Sequence, residues 1–258
     1  MLSKRVVSCF DVRDGKLVKS VKFVNTKEIG EVVGRARQYY EDGLDELVMY
    51  DITASSDHRD IMLETVEAVA SEIFIPFSVG GGIRSVEDAT DLRWAGAEKI
   101  NVNTAAVDRP ELISEISHAV GAQSTILSID VLRVPGGPLP SGFEIVTHGG
   151  RTHTGIDAIE WAREGERRGA GEIVVNSIDA DGTCDGYDVE LTRTVVDAVG
   201  IPVIASGGAG KPEHLYDVLT EGGADAALVA SMVHYGEYTV SELKQYLHER
   251  GVKVRMHY

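Results

Sequence analysis

The sequence predicts an α/β fold: a single (β/α)8 barrel built from two similar (β/α)4 half-barrels and occupying residues 1–258. Three observations predict it. Short β-branched runs alternate with amphipathic helical stretches along the whole chain, eight of each in about 250 residues. No Pro/Gly/Ser-rich linker divides the chain, and at this length one core is large enough to hold without staples. The sequence also repeats itself. "GLDELVMYDI" from Gly43 aligns with "GAGEIVVNSI" from Gly169, and "IPFSVGGG" from Ile75 aligns with "IPVIASGG" from Ile201, both at an offset of 126 residues. Alternating βα units in this number are the pattern of a TIM barrel.

The first strand is read at Arg5–Phe10, the apolar run "RVVSCF" that leads into Asp11. A long loop, Val12–Glu28, follows it, and the first helix is placed at Ile29–Asp42. Strands at Glu46–Tyr50, Phe77–Val79 and Lys99–Val102 then alternate with helices at Asp60–Ile73, Ser85–Ala95 and Pro110–Val120. The fifth strand, Ser124–Ile129, leads into Asp130 as the first leads into Asp11, and a second long loop follows at Leu132–Gly155. Helices at Asp157–Arg168, Val189–Val199, Pro212–Glu221 and Val240–Arg250 interleave with strands at Glu172–Ser177, Val203–Ala205 and Ala226–Ala230. Both long loops are expected to rise over the C-terminal face of the barrel, where barrel enzymes place their chemistry.

Composition narrows the functions. The 25 Lys and Arg against 41 Asp and Glu give a net charge of −16, a field that repels nucleic acid and anionic membranes. Two cysteines, Cys9 and Cys184, without CxxC or His/Cys ligand spacing, argue against a disulfide framework and against a zinc site, and no metal is expected. The start of the chain lacks the apolar core of a signal peptide, and no run of about 18 apolar residues suggests a membrane span. The protein is expected in the cytoplasm.

Each half carries turns of phosphate-binding type. "SVGGGIRS" ends the third strand and "NVNTA" the fourth; "ASGGAGK" ends the seventh and "VASMV" the eighth. Glycine permits close backbone approach, and a following helix N-terminus offers free N–H groups and a positive dipole end to an anion. Two such sites suit an elongated substrate with a phosphate at each end. Asp11 and Asp130 align between the halves and are expected on opposite sides of one cavity, where two carboxylates in different surroundings can act as acid and base. "SIDADGTCDGYD" places Asp179, Asp181 and Gly182 beyond the sixth strand as a hydroxyl- and phosphate-contacting loop; it lacks calcium-loop spacing. Lys16, Lys19 and Lys22 in the first long loop read either as solvated side chains or as a mobile lid. Arg5, Glu46, Lys99 and Glu172 begin four strands and read as a ring of alternating salt bridges closing the other end of the barrel. Cys9 is expected to face the interior as packing.

Taken together, "RVVSCFDVRDGKLVKSVKF", "DELVMYDITAS", "IPFSVGGGI", "KINVNTAAV", "GAGEIVVNSIDADGTCDGYD" and "IPVIASGGAGKPEH" resemble the cyclase subunit of imidazole glycerol phosphate synthase, of histidine biosynthesis, essentially from end to end. The resemblance implies a heterodimer with a glutaminase subunit, whose ammonia travels through the barrel core. It also implies a bisphosphorylated substrate, phosphoribulosyl-formimino aminoimidazole carboxamide ribonucleotide, and no cofactor. By position, Asp11 and Asp130 would be the acid/base pair and Lys19 would sit on the loop covering the substrate. Gly82, Asn103 and Thr104 would bind one phosphate, and Asp181, Gly182, Gly208, Ala230 and Ser231 would serve the other end. Arg5, Glu46, Lys99 and Glu172 match the family's ammonia gate, with Glu98 an interface contact. Two departures stand out: Ser20 follows Lys19 where glycine is expected, and the loop after the fifth strand is extended. "CFDV", "LVKSVKF" and the charge ring favour the cyclase over the sister isomerase barrel of the same pathway.

Overall fold

The structure, a computed structural model, describes residues 2–13, 15–21, 24–52 and 63–256, with side chains throughout except at 19–21 and 24–29. In chain order the strands are β1 (Arg5–Arg13), β2 (Lys16–Val21), β3 (Val24–Glu31), β4 (Glu46–Asp51), β5 (Phe77–Gly80), β6 (Lys99–Val102), β7 (Thr125–Arg133), β8 (Phe143–Thr147), β9 (Thr152–Asp157), β10 (Glu172–Ser177), β11 (Val203–Ser206) and β12 (Ala226–Val229). Eight of these pair in parallel in the order β1, β4, β5, β6, β7, β10, β11, β12, and β12 pairs back onto β1, closing a barrel. The helices are α1 (Val32–Glu41), α2 (Leu63–Ala70), α3 (Val86–Trp94), α4 (Thr104–Asp108), α5 (Glu111–Val120), α6 (Ala158–Arg167), α7 (Val189–Val196), α8 (Pro212–Thr220), α9 (Ser231–His234) and α10 (Val240–Glu249).

Side-chain alternation divides the buried residues into two cores. Val7, Cys9, Val48, Ile126, Val174, Ile204, Ala226 and Leu228 form the cluster inside the barrel. Their neighbours in sequence, such as Val6, Phe10, Leu47, Leu127 and Ile173, belong to the larger cluster between the strands and the helices. This is why the barrel strands read as near-continuous apolar runs: both faces are covered. Helix starts are fixed by side-chain caps. Ser85 with Asp88 and Thr239 with Glu242 form capping boxes, and Asp157 and Asp188 cap α6 and α7.

The two long loops of the sequence reading are β-hairpins. β1 runs on to Arg13, and β2 and β3 return antiparallel beside it; β7 runs on to Arg133, and β8 and β9 do the same. Asp11 and Asp130 therefore lie within strands and do not end them. The first helix starts at Val32, three residues later than expected, because β3 continues to Glu31 and the Glu31 carboxylate caps Val33 N and Gly34 N at 2.9 and 2.6 Å. α4 and α9 are additional short helices after the fourth and eighth barrel strands. Asp14, Lys22 and the segment 53–62 lie outside the described residues.

Register places the site. Asp11 pairs with Tyr50, Tyr50 with Gly80, Gly80 with Asn101, Asn101 with Ile126, and Ile126 with Glu172. Continued through β11 and β12, the same line returns to β1 at position 3, a stagger of eight residues from its start at position 11. An eight-stranded barrel with this stagger tilts its strands so that each step to the next strand along the pairing line drops by one residue. Residues level with Asp11 are then Asp51, Gly82, Thr104, Asp130, Ser177, Gly208 and Ser231.

Candidate active site

Among the residues at that level, Asp11, Gly82, Asp130 and Gly208 come from alternate strands and point into the barrel, as one layer of four does in this fold. Asp11 and Asp130 are four strands apart, so they oppose one another across the same lumen. Asp11 is half-buried and Asp130 is buried. The Asp130 carboxylate is held on both sides: Oδ1 accepts Asn176 Nδ2–H at 2.9 Å and Oδ2 accepts Asn103 Nδ2–H at 3.0 Å. Burial is the largest influence on this carboxyl and pushes its pKa above the ordinary value. The two amides pull against burial, and the charge of Asp181 adds to it. The net direction is upward. Asn103 therefore holds the Asp130 carboxylate, a contact the sequence reading had not assigned to it.

One level lower stand Tyr50, Asn103, Asn176 and Ala230. Asn176 was missed in the sequence, although it is a polar residue at an inward position of an apolar run. It links Asp130 to Ser206, whose Oγ donates to Asn176 Oδ1 at 3.2 Å.

Two glycine turns flank this pair, one of them bordering a pocket. Asp181, Gly182, Gly208, Ala230 and Ser231, all expected at one end of the substrate, line a single pocket together with Cys9, Cys184 and Ser206. Gly208 is irreplaceable there: its φ is +103°, and a Cβ would sit 1.9 Å from Gly186 O, whose own N–H donates to Gly208 O at 2.9 Å. Across the barrel, Gly81 has φ +91° and no room for a Cβ, which would meet Asp51 O at 2.2 Å. Gly82 follows it, and Asn103 and Thr104 open α4 on the neighbouring strand. The β8–β9 turn reaches this side, where His148 N donates to Thr104 Oγ1 at 3.4 Å. Lys19 lies in β2 with its backbone opposite Lys27; its side chain lies outside the described residues.

The four charges expected as a ring meet at the opposite end of the lumen. Glu46, Lys99 and Glu172 share a level five residues below Asp11, with Arg5 one lower. Arg5 donates to Glu46 at 2.6 Å and to Glu172; Lys99 donates to both oxygens of Glu46 at 2.9 Å and to Glu172 at 2.8 Å. Glu46 is fully buried, and its pKa is raised by burial with Lys99 and Arg5 opposing. Around this end Leu2, Phe74 and Trp94 are exposed, and Phe74 shares a groove with Ile73, Ile75 and Glu98.

A sequence profile of the family described as "Histidine biosynthesis protein" matches residues 5–239. Three relatives, each described as imidazole glycerol phosphate synthase subunit HisF, match along their full length. The protein of Desulfosudis oleivorans is 59% identical over 257 residues, covering 99% of each chain. That of Syntrophobacter fumaroxidans is 59% identical over 256 residues, again with 99% of each covered. That of Desulfatibacillum aliphaticivorans is 60% identical over 256 residues, which is 99% of this chain and 98% of the relative. With this barrel, its opposed aspartates and its likeness to these relatives, the chain belongs to the HisF family of imidazole glycerol phosphate synthase subunits, the cyclases of histidine biosynthesis.

Proposed function

We propose that Asp11 and Asp130 are the acid/base pair of an ammonia-dependent cyclase, acting on a bisphosphorylated phosphoribulosyl-formimino aminoimidazole carboxamide ribonucleotide. The products are imidazole glycerol phosphate and aminoimidazole carboxamide ribonucleotide. The observation that carries this is the shared level of the two carboxylates, flanked by Gly82 and Gly208 within one lumen. Asp130, buried and with its carboxyl raised above the ordinary value, is suited to act as the acid. Asp11, half-buried on the opposite wall, is suited to act as the base. Gly82, Asn103 and Thr104 serve one phosphate, and Asp181, Gly182, Gly208, Ala230 and Ser231 serve the other. Lys19 on the β2–β3 hairpin covers the substrate. Two half-barrels of common origin account for these matched pairs, each four strands apart.

Ammonia enters past Arg5, Glu46, Lys99 and Glu172, beneath a glutaminase subunit seated on Leu2, Phe74, Trp94 and Glu98 in a heterodimer. All its substrates are soluble, and the enzyme works in the cytoplasm without a cofactor. The test is turnover of the bisphosphate substrate by the isolated chain with an ammonium salt, repeated with glutamine and the glutaminase. No product with ammonium defeats the reading. Isomerisation of the preceding ring-closed aminoaldose instead would assign the chain to the sister barrel.

A further inference from the structure

Two loops wall the pocket that holds Gly208 and Ser231. The loop after β10 brings Asp181, Gly182 and Cys184, and the loop after β11 brings Gly207, Gly208 and Ala209. Backbone contacts bind the loops to each other. Gly186 N donates to Gly208 O at 2.9 Å, and a Cβ on Gly210 would come within 2.3 Å of Cys184 O. Behind both loops stands His214, half-buried in the first turn of α8. Its Nδ1 accepts the Gly210 N–H at 3.2 Å, and a Cβ on Gly186 would lie 3.6 Å from its ring. One imidazole thus braces both walls from outside the pocket. Accepting at Nδ1 leaves the proton on Nε2, so the ring that makes this bond is neutral.

The same contact recurs in the other half of the chain. Asp88 and His214 are 126 residues apart, as are Arg84 and Gly210, which is the offset of the internal repeat. Asp88 Oδ2 accepts the N–H of Arg84 at 2.8 Å and that of Ser85 at 2.9 Å, just beyond the Gly81–Gly82 turn. In each half the third residue of the following helix accepts an N–H from the end of the glycine turn. The acceptors differ in charge. Asp88 is a carboxylate, whereas His214 makes the bond as a neutral ring. The pocket in front of His214 already has Asp181 in its wall, and a second carboxylate behind it would add repulsion toward an incoming phosphate. We propose that His214 is a positioning residue of the cyclase, holding the β10 and β11 loops at the spacing that admits a phosphate without adding negative charge. This rests on the assignment of Asp181, Gly182, Gly208, Ala230 and Ser231 to one phosphate of the substrate.

The test is steady-state turnover of the bisphosphate by the full chain with an ammonium salt. His214→Ala deletes the acceptor, and His214→Asn returns an amide oxygen close to the place of Nδ1. His214→Ala is expected to raise KM for the bisphosphate about tenfold, the worth of one well-made hydrogen bond. Its kcat and its KM for ammonium should stay within about twofold of the parent, and His214→Asn should recover most of the loss. A folded His214→Ala whose bisphosphate KM is within about twofold of the parent overturns the proposal. So does a His214→Asn as poor as His214→Ala, or a fall in kcat at unchanged KM. Ser231→Asp puts a negative charge into the pocket itself and should raise the same KM by more than about tenfold. If it does so while His214→Ala does not, the positioning role alone fails. If Ser231→Asp leaves that KM unmoved, the phosphate assignment fails and the positioning role falls with it.

Discussion

At the scale of residues, one buried carboxylate has surroundings that conflict. Asn176 and Asn103 favour a charged Asp130, yet burial outweighs them and the carboxyl is raised. A raised carboxyl contributes stability that is fully present below its unfolded pKa and is lost as pH rises through its folded pKa. Wherever Asp130 is ionised it therefore costs the fold something. Asp130→Asn removes that cost. The new amide can be accommodated, because Asn103 Oδ1 has no partner and its amide can turn to accept an N–H. The variant should melt at or above the parent temperature at pH 7, with the gap closing as the pH falls toward about 4. It should lose about 100-fold or more in ammonia-dependent turnover. Calorimetry and the ammonium assay together check this; a destabilised variant at pH 7 would contradict the burial argument.

Among the elements, the β8–β9 hairpin is fastened to the loop that carries Asp181. Arg133 N donates to Asp179 at 2.8 Å, its guanidinium binds Asp188 and Glu190 at 2.8 Å, and it stacks 4.7 Å from the centre of the Phe143 ring. The guanidinium is over a third exposed, so these contacts add little global stability. Arg133→Ala should accordingly change the melting point by less than the equivalent of ~1 kcal/mol, while amide exchange across 143–157 becomes faster. A different element depends on a buried pair. Lys244 of α10 donates to Asp45 and to Gly43 O, both at 2.7 Å, and Asp45 accepts Val6 N at 2.8 Å. Both side chains are almost fully buried. Lys244→Met strands a buried carboxylate and should cost ~3 kcal/mol by denaturant unfolding. Lys244→Met with Asp45→Asn should recover much of it. Equal losses in the single and double variants would show that the pair contributes packing alone.

On the scale of the whole molecule, the two ends of the barrel are chemically unlike. One end carries the aspartates and glycine turns; the other carries the charge ring, bordered by exposed Leu2, Phe74 and Trp94 at 87, 79 and 83% exposure. Isolated exposed apolar residues are ordinary, but several around one opening are the kind of surface on which the proposed glutaminase would seat. Phe74→Asp combined with Trp94→Asp should abolish co-elution with the glutaminase and glutamine-driven turnover, and leave ammonium-driven turnover of the isolated chain within about twofold. Loss of the ammonium-driven rate as well would place these residues in the fold and not in the interface.

Much of this was legible in the residues themselves. The strand and helix order, the ring charges at strand starts and the glycine turns at strand ends are local features, and the repeat between the halves, at an offset of 119 residues here, marked Asp11 and Asp130 as counterparts. The hairpins were read as loops because their strands carry little apolar pattern, "KLVKSV" holding two lysines and β9 reading "THTGID", even though each pairs with its neighbour in the chain. Asn176 and Tyr50 went unnoticed because inward facing depends on register, which no short stretch of sequence carries. Which polar atoms share a level is decided by the eight-residue stagger that closing eight tilted strands imposes. That closure lifts Asp130 opposite Asp11, and it leaves Ser78 Oγ and Asn101 Oδ1 unmatched inside.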